Sequence, residues 1–231
     1  MPNWLANTLR IIIVVTLPLV LVVTNVRLML TPLYINWEYN LKDFPPDMYG
    51  FTKENRLKYA AIALDYLNNS AGIEFLGNLT IPDNQIANAD SGNRMYNDRE
   101  LKHMVDVKKV MQGVMMAWMI SGALLVGSVL ALASGPDTRP TLRSALLIGA
   151  GITVGLLVAL VTTLSLSFDT FFVQFHRVFF EGDSWLFRWT DTLIRLFPVK
   201  FWSDIFMIVG GGALLEGLAV GAAALWWMKA K

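Results

Sequence analysis

The chain has 231 residues and a formal net charge of +1, with 19 Lys+Arg against 18 Asp+Glu. Hydrophobic residues make up 55% of it, charged residues only 16%, and the mean hydropathy is +0.48; a soluble domain is nearer a quarter charged. This composition argues against a water-soluble domain, and the even charge balance argues against a nucleic-acid partner. The absence of cysteine excludes disulfides, thiolate metal sites, a cysteine nucleophile and cysteine-linked lipid on this chain.

A helix crosses a bilayer core with about 20 mostly apolar residues, and four stretches qualify. The first runs from Leu5 to Leu30, with Arg10 and Arg27 placed to snorkel near its ends. It lacks a small-residue cleavage site and reads as a retained anchor. The second runs from Val110 to Ala133 and the third from Ser144 to Phe168, both free of charge. The fourth, Ser203 to Met228, is rich in Gly and Ala and carries one charge, Glu216. A carboxylate at that depth costs roughly 2.5–3.5 kcal/mol, so Glu216 is expected to pack between helices, where Gly210, Gly211, Gly212 and Gly217 allow close contact.

The spans divide the chain into seven segments. Residues 1–30 form transmembrane helix 1 and 31–107 an extracytoplasmic cap. Residues 108–133 form helix 2, 134–143 a cytoplasmic loop and 144–168 helix 3. Residues 169–202 form an aromatic interfacial segment, and 203–231 form helix 4 with a cytoplasmic tail. The orientation follows the positive-inside rule: Arg139 and Arg143 lie in the short loop, and Lys229 and Lys231 in the tail. Both termini are then cytoplasmic. The expected fold is an all-α integral membrane protein with four transmembrane helices and a mainly helical extracytoplasmic cap.

The cap carries helix signals of its own. Thr52 is an N-cap candidate. Leu57, Ala60, Ala61, Leu64 and Leu67 then fall on one face, and Asn68, Asn69, Ser70 and Gly72 end the helix. Turn signals follow at Ile81–Asn84 and Asp90–Asn93. Asn97 or Asp98 caps the next helix, which meets no breaker before span two. Between Phe168 and Trp202 stand nine Phe and three Trp, which suit an interfacial belt or an apolar cleft for acyl chains. Thr190–Phe197 reads as a short helix with Asp191 in its first turn and Pro198 as its stop.

Two histidines are present, His103 and His176. Both fall on the extracytoplasmic side, one before span two and one after span three. Histidine is suited to proton transfer near neutral pH. Asp106, three residues beyond His103, lies on the same helical face and can orient it. A metal site from His103, Asp106 and His176 lacks any recognised ligand spacing, and none is expected. Gly182-Asp183-Ser184 matches a short esterase signature, but no GxSxG elbow accompanies it. Ser184 reads as a turn residue.

Two motifs then carry a resemblance. Glu100-Leu101-x-His103-Met104-x-Asp106-Val107-Lys108 is one. Phe175-His176-x-x-Phe179-Phe180, Asp183-x-Trp185-x-Phe187 and Asp191-x-Leu193-Ile194-x-Leu196-Phe197-Pro198-x-x-Phe201 form the other. In order, spacing and span layout they resemble the bacterial lipoprotein intramolecular transacylase family. The resemblance implies a reaction on a diacylated bacterial lipoprotein. The sn-2 acyl chain moves to the α-amino group of the N-terminal cysteine, giving a lyso-form lipoprotein. It implies a site at the outer leaflet of the bacterial cytoplasmic membrane, in contact with membrane lipids and without a cofactor. His103, His176 and Asp106 are then the catalytic candidates, with His103 as base and His176 on the leaving oxygen or the oxyanion, or the reverse. Phe175, Arg177, Phe179 and Trp185 are candidates for holding the substrate. Two other readings stand beside it. One is a histidine-dependent membrane lipid hydrolase or acyltransferase on another substrate. The other is a non-catalytic transport or assembly protein built around Glu216. The oligomeric state is not legible.

Overall fold

The structure is a computed structural model that describes residues 1–229, with side chains through Trp227. Lys231 and the side chain of Lys229, both used in the orientation argument, lie outside the described residues. In chain order the helices are α1 Asn3–Met29, α2 Pro32–Glu38, α3 Lys53–Asn68, α4 Glu74–Gly77, α5 Asp98–Ser134, α6 Arg139–Leu166, α7 Phe168–Phe179, α8 Thr192–Leu196 and α9 Val199–Lys229. Four of them, α1, α5, α6 and α9, are long and apolar enough to cross a membrane. The chain folds into two compact units.

The span unit comprises residues 1–27, 114–166 and 206 onward. Close packing comes from small residues. A Cβ on Gly212 would lie 2.4 Å from Oδ1 of Asn25, so only glycine leaves room for that side chain. Asn25 Nδ2 then donates to Glu216 Oε2 at 2.9 Å. Trp118 Nε1 donates to Thr24 Oγ1 at 3.0 Å, one residue earlier on α1. The carboxyl that interrupts the fourth span therefore has a specific partner, and polar pairs hold α1 to two of its neighbours. At the far end Ala6, Ile13, Leu132, Leu142 and Ala145 form a buried apolar cluster.

The cap unit comprises residues 28–113 and 167–205. Its α3 begins as expected. Thr52 Oγ1 accepts from the Asn55 amide and Asn55 Oδ1 accepts from the Thr52 amide, a reciprocal capping box. The buried face differs from the expected stripe: Arg56, Tyr59, Ala60, Ala63, Leu64 and Tyr66 are buried while Ala61 is exposed. Arg56 lies on this buried face, with its charged head on Tyr39 and Phe44. Tyr59, Ala63 and Tyr66 join Leu76, Met95, Met104, Leu193 and Leu196 in the cap core.

Three helices of the cap lie where none was expected, α2, α4 and α7. The break between α6 and α7 falls at Ser167, inside the predicted third span. Ser167 is extended (φ −161°, ψ 93°) and its Oγ accepts from the Thr170 amide, starting a new helix. The predicted helix at 190–197 begins at Thr192, with Asp191 in the capping position.

Candidate active site

The site is built on two helices of the cap unit and the loop between α7 and α8. The first turn of α5 is held by a second capping box. Asn97 Oδ1 accepts from the Glu100 amide, and Glu100 Oε2 accepts from the Asn97 amide at 2.9 Å. The other oxygen of Glu100 accepts from the Leu193 amide at 2.7 Å. Burial pushes the Glu100 carboxyl up to about 7. Beside it lies Asp191, which is fully buried. Its carboxylate accepts from Asn88 at 2.5 Å, Asn97 at 3.0 Å, Arg99 at 2.6 Å and the Arg188 amide at 2.8 Å. These bonds fasten the start of α5 to the 188–193 loop, and His103 stands one turn beyond Glu100.

His176 lies in the last turn of α7. Its Nδ1 is 2.8 Å from the carbonyl oxygen of Phe172. A carbonyl only accepts, so Nδ1 carries the proton and Nε2 keeps its lone pair. The two imidazoles face each other with ring centroids 6.0 Å apart and planes 24° apart. Phe180 packs against both rings, at 4.9 Å from His103 and 5.5 Å from His176. Phe187 closes on His103 at 5.2 Å, and Phe172 and Trp185 on His176 at 4.0 Å and 5.0 Å. Trp185 is fixed in turn: its Nε1 donates to the carbonyl of Gly182, whose φ of 69° makes the tight turn that glycine favours.

Both histidines are buried, and both stand outside the apolar span of α5 and α6. Burial among aromatic rings disfavours the charged imidazole, so His103 is pushed down to about 4, with His176 adding to the effect. Burial also lowers His176, against the opposing effect of the Phe172 carbonyl. Both are neutral at pH 7. Nδ1 of His103 is buried with no hydrogen-bond partner.

The other candidates fall at different distances from this pair. Trp185 touches His176 directly, as does Phe175 at 5.8 Å. Phe179 packs against Phe175, with ring centroids 4.8 Å apart and planes tilted by 47°, and is exposed. Arg177 is exposed on α7. Asp106 makes no hydrogen bond to His103, whose Nδ1 has none at all. Among the described residues no three His, Asp or Glu side chains are grouped to hold a metal ion. The ring walls Phe172 and Phe180 were not singled out from sequence as site residues. Their spacing of four residues on either side of His176 was the available signal. Ser184, read as a turn residue, is buried with its hydroxyl unpartnered.

Comparison with known proteins agrees with this architecture. Residues 11–202 match the family model of the lipoprotein intramolecular transacylase Lit. An uncharacterized protein of Aquifex aeolicus (strain VF5) is 32% identical over 213 residues, 92% of this chain and 91% of that one. The solved structure of the membrane integral lipoprotein intramolecular transacylase Lit from Bacillus cereus superposes with a TM-score of 0.76. It covers all of both chains at 16% identity. A structure of a histidine-to-arginine variant of the same protein superposes with a TM-score of 0.68 at 16% identity, over 97% of this chain and 92% of that one. At that identity the structures show a shared fold, and the family match carries the assignment. The chain belongs to the lipoprotein intramolecular transacylase family, as an integral membrane transacylase.

Proposed function

We propose that the chain moves the sn-2 acyl chain of a diacylglyceryl lipoprotein to the α-amino group of the lipoprotein's N-terminal cysteine, using His103 and His176 as its proton-handling pair. The observation that carries this reading is the pair itself: two neutral imidazoles, walled by aromatic rings, with one lone pair fixed in place by a backbone carbonyl.

The chemistry follows from the substrate. An α-amine has a pKa of about 8, and only its neutral form attacks. The amine nitrogen adds to the sn-2 ester carbonyl and the ester carbon–oxygen bond breaks. One proton leaves nitrogen and one reaches the glyceryl oxygen, so a single base can shuttle it. Nε2 of His176 takes this role, because Nδ1 is committed to Phe172. His103 faces it as the group that stabilises the oxyanion. Donor and acceptor sit on one molecule, so orientation supplies much of the acceleration. Trp185 and Phe175 pack on His176 and are proposed to shape the place where substrate meets it. Phe179 extends the aromatic edge towards the acyl chain, and Arg177 meets the polar headgroup. Asp106, three residues beyond His103 on α5, is proposed to act on it without a direct bond.

Arg139 and Arg143 in the short 134–143 segment support cytoplasmic termini. The cap unit and both histidines are then at the outer leaflet, where diacylated lipoprotein is presented. The test is expression in a bacterium that lacks its usual route of lipoprotein N-acylation, followed by fragmentation mass spectrometry of one lipoprotein's N-terminal peptide. The expected product has unchanged total mass, one chain on the cysteine nitrogen and a monoacylglyceryl thioether. Persistence of the diacylglyceryl form beside well-expressed protein overturns the reading. Release of free fatty acid instead points to a hydrolase.

A further inference from the structure

A second feature of the cap unit uses none of the residues of the histidine site. Tyr39, Phe44, Pro46, Asp47, Lys53 and Arg56 line an open cleft of about 300 Å³ at the N-terminus of α3. Arg56 is its floor and is only 4% exposed. Its guanidinium lies 5.0 Å from the Tyr39 ring and 4.8 Å from the Phe44 ring. It donates Nη1 to the Pro45 carbonyl at 2.7 Å, while Nε is buried with no partner.

Charge is unbalanced here. Among the described residues no carboxylate forms an ion pair with Arg56. Asp47, the acid lining the same cleft, is committed to Arg195 and to the amides of Tyr49 and Phe51. Lys53 adds a second cation, whose Nζ donates to the neutral amide oxygen of Asn40 at 2.6 Å. The positive end of the sixteen-residue α3 points the same way. Asp47 attracts both Arg56 and Arg195, so one carboxylate serves two guanidiniums; the positive charge left in excess is costly to bury, and an anion in the cleft balances it. Guanidinium is well matched to phosphate oxygens.

The neighbourhood indicates where the anion comes from. Helix α2 starts three residues after the first span ends and spans seven residues, roughly 10 Å. Leu33 and Trp37, one turn apart on it, are 81% and 50% exposed. Exposed apolar and Trp side chains beside a span belong at the lipid interface. Tyr39, the first wall of the cleft, follows α2 directly, so the cleft is within reach of lipid headgroups.

We propose that this cleft binds the phosphodiester of an anionic phospholipid headgroup, with Arg56 and Lys53 on the phosphate and Tyr39 and Phe44 walling the glycerol. The test is native mass spectrometry of the full chain, extracted from nanodiscs containing equal phosphatidylglycerol and phosphatidylcholine. Retention of phosphatidylglycerol over phosphatidylcholine by about tenfold is expected. Arg56→Gln should abolish that preference. Because Arg56 is also packed in the core, Lys53→Gln at an exposed position carries the same prediction, a weakening of about threefold, without disturbing it. Equal retention of the two lipids by the unaltered protein, or a preference left unchanged by both substitutions, overturns the proposal. Inorganic phosphate or a soluble acidic peptide that displaces phosphatidylglycerol at equal concentration also overturns it, in favour of a free-anion or a peptide site.

Discussion

Asp191 and His103 are both buried in the cap unit, and their polar atoms are treated in opposite ways. The Asp191 carboxylate accepts four hydrogen bonds from three side chains and one amide. His103 has a buried Nδ1 with no partner and is surrounded by Phe180, Phe187 and His176. A satisfied buried charge holds chain segments in place, and its energy is already realised in the folded state. An unsatisfied buried imidazole keeps its hydrogen-bonding capacity for something that arrives later. The first cluster is scaffold and the second is poised for substrate. They are joined, because the scaffold fixes the helix turn from which His103 projects.

Removing either histidine tests the poised half. His176→Ala and His103→Ala are each expected to lower the rate of N-acylation by about 10²–10⁴-fold. Thermal unfolding should shift less for His103→Ala than for His176→Ala, since the His103 ring gives up no hydrogen bond at Nδ1 whereas His176 gives up its bond to the Phe172 carbonyl. A large loss of stability without loss of rate would place the histidines in the scaffold instead. Asp191→Ala tests the other half. Removing a buried charge from its partners is expected to cost about 3–5 kcal/mol, seen in thermal unfolding of the detergent-solubilised protein. Unchanged stability would mean that the four bonds contribute nothing net.

The contrast extends in weaker form to the span unit. Glu216→Ala removes its bond to Asn25 and is expected to cost about 0.6–2 kcal/mol, while Glu216→Gln retains most of it. Equal damage from both substitutions would argue for the ionisable proton rather than the hydrogen bond. The smallest expected effect is that of Asp106→Asn, within about threefold in rate, because no bond joins it to His103. A tenfold loss would restore it as the residue that orients His103.

Much of this was legible in the sequence. The spans follow from hydropathy. Both capping boxes announce themselves locally, through Thr52 and Asn55 and through Asn97 and Glu100. The histidines stand out by chemistry and by their placement beside two spans. Helix α7 has a local signal, since Phe168, Phe171, Phe172, Phe175 and Phe179 recur at helical spacing. The three side chains that bond to Asp191 lie more than ninety residues away, and Asn25 is 191 residues from Glu216. No local pattern marks such pairs. Arg56 shows the limit most clearly. An arginine between an asparagine and a leucine reads as a surface residue, and only the fold turns it onto two aromatic rings.

The central claim is that two neutral histidines handle the proton released when the amine becomes an amide. The most direct measurement is the pH dependence of single-turnover N-acylation, with purified protein and a diacylated lipopeptide. Below the amine's own pKa of about 8, log rate should rise with slope one through pH 6.5, the ordinary histidine value. The histidine that must be neutral has its pKa lowered by burial, to about 4 for His103 and in the same direction for His176. The slope should therefore steepen towards two only below pH 6.5. A slope of two that already sets in at pH 6.5 would contradict the account, because it would mean that the essential histidine titrates as if exposed to water.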